Sequence, residues 1–182
     1  VATRQVSDST GVPRPLVRNE RRLVGAARPP EPVHPPTFAW LWIAGVGIGT
    51  LFAWLGAASR TRRSTRIGAA LAFSIWATAI GLLGVILVFL GTVTDHRFAY
   101  ANENVLLFHP LWLILAVALP RSVMRRRFER LTDQLLLAVL ALSAVALLAH
   151  TFAVSRQANL PLIGLALLPA LGLAIALRQT RT

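Results

Sequence analysis

Polar and apolar positions in this chain segregate into long blocks instead of alternating. From residue 38 onward, five apolar stretches at 38–58, 67–93, 105–119, 131–154 and 160–177 are divided by short segments that hold most of the charge. A hydrocarbon layer of about 30 Å is crossed by roughly 20 residues of α-helix, so each stretch reads as a membrane span. The third is short and must borrow residues from its flanks. Pro110 suits a first helical turn, whereas Pro120 predicts a kink that neighbouring helices have to accommodate. The predicted fold is all-α, a polytopic membrane bundle of about five transmembrane helices over residues 38–182.

Residues 1–37 follow another pattern. They carry six Arg and seven Pro, and the run from Arg28 to Pro36 has the composition of a polyproline-like spacer that cannot be helical. A disordered or extended N-terminal linker is expected there. The segment has no apolar core of the kind that a signal peptide needs. A stiff spacer before a span also holds something off the bilayer, so the expectation is a C-terminal piece preceded by an exported domain.

Composition agrees with the block pattern: 55% of residues are hydrophobic and 14% charged, outside the balance of a soluble domain. The net charge of +12 comes from nineteen Arg scattered between apolar runs. A scattered distribution argues against a nucleic-acid partner and for loops that face anionic lipid headgroups. The segments after spans one, three and five hold eleven Arg, against Arg97 and Arg156 in the opposite loops. Short Arg-rich loops stay in the cytoplasm, which places the C-terminus inside and the linker outside. The six linker Arg oppose this locally, as expected if an exported domain commits them to the outer side.

Small and aromatic residues add packing detail. Gly45 and Gly49 form a GxxxG pair, and Gly81, Gly84 and Gly91 line part of the second span, where small residues permit close helix approach. Trp40, Trp42, Trp54, Trp76 and Trp112 mostly fall near span ends, as an interfacial aromatic belt would. Asp133, beside Arg130 and Thr132, reads as an interfacial helix cap.

Candidate chemistry gathers between spans two and three. Asp95, His96, Asn102, Glu103, Asn104 and His109 lie within a short outer segment whose flanks are apolar. His150 is expected about one turn below the outer end of the fourth span, at the depth of His109. Asp95 and His96 could cap a helix end in water, and Asn102 and Asn104 suit turns and N-caps. His109 and His150 sit in apolar runs, where an ionisable group usually faces the bundle interior, either in a structural hydrogen bond or in a functional role. No HxxxH or HExxH spacing supports a metal or haem site, and neither a G-x-S-x-G motif nor a phosphate-binding loop occurs. With no Cys, the chain supplies no thiol nucleophile, and no cofactor is expected.

The segment Thr94-Asp95-His96, then Asn102 and Asn104, Leu106-Leu107 and His109-Pro110-Leu111, resembles the five-helix membrane domain of bacterial lipoprotein N-acyltransferases of the intramolecular transacylase type. Arg14-Pro15-Leu16-Val17 and the linker after it look like the join to that family's exported catalytic domain. The resemblance implies a bacterial inner-membrane protein with membrane lipids and a lipoprotein as partners. It further implies that a cysteine in the upstream domain moves an acyl chain from the lipoprotein's glyceride to its N-terminal amine. Asp95, His96, Asn102, Asn104, His109 and His150 are then the expected substrate-binding residues. A non-catalytic membrane scaffold or assembly subunit is the competing expectation. A transporter fragment fits less well, because no inverted repeat and no mid-span charge is seen.

Overall fold

The computed structural model describes residues 5–7, 13–15, 38–94, 102–125, 129–152 and 159–181. The chain divides into two compact units, Val1–Pro36 and Thr37–Thr182. In the first, β1 (Gln5–Ser7) pairs antiparallel with β2 (Pro13–Pro15), with Val6 opposite Arg14. The linker expectation did not include this pairing. Two prolines are tolerated in β2 because a two-stranded ribbon has only edges, where a missing N–H can face away from the partner. The proline run at 28–36 lies outside the described residues.

The second unit holds five α-helices among its described residues: α1 (Trp40–Ala58), α2 (Arg63–Thr92), α3 (Leu111–Arg125), α4 (Arg130–Thr151) and α5 (Leu160–Arg181). All five spans are apolar enough and, with the residues that precede α3, long enough to cross a bilayer. The protein is an integral membrane bundle. Ile43, Leu71, Ile75 and Leu137 lie exposed on its outer surface, the arrangement stable only where the solvent is lipid.

Each helix packs on its sequence neighbours, and α5 closes the ring on α1. Five alternating helices leave the first and last parallel, and this pair makes the most extensive contact. Gly45 lies against the backbone of Gly164 and Leu165, Gly49 against Leu168, and Gly56 against Ala176, so a Cβ at any of the three would overlap α5. The GxxxG expectation therefore acquires a partner, which is α5. The ring's centre is filled by Phe73, Trp112, Leu115, Leu119, Ile163 and Leu173.

Pro120 sits inside α3. Lacking an N–H, it leaves the carbonyl of Ala116, four residues earlier, without its helical donor. The hydroxyl of Ser74 on α2 donates to that carbonyl at 2.8 Å. A neighbouring helix accommodates the proline, as expected for a broken ladder in lipid.

Two expectations need correction. The third span is not one helix from residue 105: it begins as a short 3₁₀ helix, η1 (Glu103–Leu106), breaks at 107–110 and resumes as α3. The break follows from Pro110, which disfavours helical geometry in the residue before it. The aromatic-belt reading holds for Trp40, 60% exposed near one end, but fails for Trp112, fully buried, and for Trp76, which packs edge-on against Phe52. Proximity to a span end fixes depth and leaves open whether a ring points to lipid or inward.

The two ends of the bundle differ. The basic end carries Arg60, Arg62, Arg63, Arg66, Arg121, Arg125, Arg130 and Arg178. There Arg60 donates to the backbone carbonyl of Gln179, occupying an acceptor that the end of α5 would otherwise leave open. Ser122 and Thr132 join α3 to α4 through hydroxyls 3.0 Å apart. Glu129 accepts from both and pairs with Arg125 at 3.7 Å. The opposite end carries η1.

Candidate functional site

The η1 end is built by backbone hydrogen bonding in a polar stretch. Asn102 caps η1, its Oδ1 accepting from the backbone N–H of Asn104 at 3.0 Å. The carbonyl of Asn104 accepts from the N–H groups of Leu107 and Phe108, which closes the turn. The Asn readings as turn and cap residues thus hold for Asn102. Asn104 differs: its Oδ1 is buried without a hydrogen-bond partner among the described residues. Such an acceptor is costly to leave unmet and is available to a ligand donor.

His109 does not sit in a helix. It precedes α3, and its Nδ1 accepts from the N–H of Leu111 at 3.2 Å, so the ring caps α3. An accepting Nδ1 puts the neutral ring's proton on Nε2, which leaves that nitrogen as a donor. The backbone here is pressed against α2: a Cβ at Gly84 would overlap the carbonyl of Phe108 and the main chain of His109. Gly84 therefore sets how closely α2 supports the imidazole.

His150 is half-buried and next to last in α4, not a full turn below its end. It shares the η1 end with Asn102, Asn104 and His109, and it forms no hydrogen bond with them among the described residues. Asp95 and His96 lie outside the described residues. Of the six expected site residues, three are therefore gathered in η1 and its exit, and one stands on the adjoining end of α4.

A partly open cavity of about 150 Å³ lies under η1, lined by Glu103, Leu106, Leu107, Ala146, Ala149, Asn159 and Ile163. Three elements meet there: η1, the last turns of α4 and the start of α5. Asn159 was missed because in sequence it is an ordinary polar residue before a helix. It is 8% exposed. Glu103 was seen as part of the polar segment, but nothing local ties it to α5. No group of three His, Asp or Glu suited to a metal occurs among the described residues.

A family model described as the Lnb transmembrane domain matches residues 30–180. No curated protein and no solved structure matches the chain.

Proposed function

Because the chain belongs to the Lnb transmembrane domain family, we propose that it is the membrane platform of a lipoprotein N-acyltransferase, holding lipid and lipoprotein for an exported thiol domain. The observation that carries this reading is the cavity under η1. Its apolar members, Leu106, Leu107, Ala146, Ala149 and Ile163, suit an alkyl chain, while Glu103 and Asn159 suit an amine and an ester carbonyl. Asn104 and His109 do not line this cavity but lie on the same short segment, where the Oδ1 acceptor of one and the Nε2–H donor of the other would meet the polar end of the substrate.

In this reading the chain performs no bond-breaking step, since it contains no Cys. A thiolate of the exported domain attacks the glyceride ester, and the glycerol oxygen leaves and takes up a proton. The lipoprotein's amine then attacks the thioester, gives up a proton and returns the thiolate. Holding ester and amine in register converts encounters into an intramolecular reaction, which can supply a large share of the rate. The platform lies in a bacterial inner membrane with the η1 end outside and the basic end cytoplasmic, the orientation that the Arg asymmetry favours.

The test is a matched measurement in cells on the full-length protein. His109→Ala and Ala149→Trp, which removes the donor and fills the cavity respectively, are expected to abolish N-acylation at unchanged membrane abundance. Normal acylation by both variants, or acylation and abundance falling together, would count against the platform and for a scaffold.

A further inference from the structure

A second and larger cavity lies at the opposite end of the bundle. It occupies about 340 Å³ in the seam between α4 and α5 and is lined by Asp133, Leu136, Leu137, Leu140, Ala174, Leu177 and Arg178. We propose that this groove holds one phospholipid with an ammonium-bearing, zwitterionic headgroup, its acyl chain along the leucines and its headgroup over Asp133 and Arg178.

The shape supports a chain. Along α4, Asp133 to Leu140 spans about 10 Å, roughly a third of the hydrocarbon thickness. Leu137 is 67% exposed and forms a lip on the outer surface. Beyond the two charged residues, the lining side chains offer no hydrogen-bonding groups, so water gains nothing by filling the groove. Left empty, the lining would forfeit its dispersion contacts on one side. In a bilayer, the abundant species that fills such a slot is an acyl chain.

The charges select the headgroup. Asp133 stands in the first turn of α4 and Arg178 near the end of α5, so each complements its helix dipole whether or not a lipid is bound. That accounts for the signs of the charges but not for the apolar groove that they share. Arg178 among the arginines of the basic end would by itself favour an anionic lipid. The Asp133 carboxylate already has a partner within the chain, but its two oxygens accept several donors, so it still repels surplus negative charge and can add charge-assisted hydrogen bonds from an ammonium. A phosphate on Arg178 beside an ammonium on Asp133 describes a phosphatidylethanolamine-type headgroup. Phosphatidylcholine presents the same charges without N–H donors.

The test is native mass spectrometry of the delipidated full chain, titrated with equal amounts of dioleoyl phosphatidylethanolamine, phosphatidylglycerol and phosphatidylcholine. One phosphatidylethanolamine adduct is expected, at roughly five- to tenfold higher occupancy than either competitor. Asp133→Asn should bring the three lipids to parity, Arg178→Gln should lower all three, and Leu137→Trp should displace the adduct by filling the groove. Because Leu137 is exposed, that variant is expected to fold. Should it elute as aggregate, the Asp133→Asn comparison decides. Equal uptake by the unmodified chain, a preference for phosphatidylglycerol, or an unchanged preference in Asp133→Asn would overturn the proposal. Lipid retention is read without acyl transfer, and His109→Ala, at the other end, should keep the adduct.

Discussion

Single residues in this bundle act through the backbone groups that they relieve or support. The Ser74 hydroxyl bonded to Ala116 is there because Pro120 cannot donate. Ser74→Ala should therefore lower stability by about 1 kcal/mol, the scale of interhelical hydrogen bonds in membranes. Pro120→Ala restores the N–H that Ala116 lacks, so in that background the loss from Ser74→Ala should vanish. Thermal denaturation of the four chains in one detergent measures the coupling, and additive losses would refute the link. Gly84 acts similarly on His109. A methyl there pushes the Phe108–His109 backbone off α2, so Gly84→Ala should cost about 1–3 kcal/mol by overpacking. It should also reduce N-acylation more than an equally destabilising change at the basic end does, as parallel melting and acylation measurements would reveal.

Among the elements, the α1–α5 pair closes the ring and depends on backbone proximity. A Cβ at Gly172 would overlap the backbone of Gly49 and one at Gly49 the carbonyl of Leu168, whereas a Cβ at Gly47 would touch nothing within 4 Å. Gly49→Leu and Gly172→Leu should separate the helices and lower stability strongly, while Gly47→Leu should leave stability within about 0.5 kcal/mol of the parent, as surface changes do, and melting in one detergent ranks the three. An equal effect at Gly47 would mean that the helix, not the contact, is sensitive to Leu. α2, at thirty residues, is about 45 Å long and exceeds a hydrocarbon layer of about 30 Å. It must tilt or emerge, and it contacts η1.

The helical unit is polarised, with its described arginines at one end and the η1 site at the other. A reporter fused after Arg66 should read as cytoplasmic and one fused near Ala101 as exterior. The opposite pattern would reverse the orientation and place the η1 end away from any exported domain. The purified 182-residue chain should show no lipoprotein N-acylation, because it has no thiol to form a thioester. Activity of that chain would refute its role as platform alone.

Span number, the uneven arginines and the polar segment that became η1 were legible from residue order, because each depends on local composition: a helix in lipid must be apolar along its length wherever it packs. That uniformity also hid the rest. When lipid and core are equally apolar, hydrophobic periodicity does not tell the inner face from the outer, so the burial of Trp112, the packing of half-buried Trp76 on Phe52 and the pairing of Gly49 with α5 could not be read in advance. The expected cap at Asn102 was visible as a local hydrogen bond. The orphaned Oδ1 of Asn104 was not, since it depends on what surrounds η1. Both cavities have the same origin. Glu103 with Asn159, and Asp133 with Arg178, come from segments far apart in the chain, and they share a cavity only because helix packing leaves a gap that neither segment encodes.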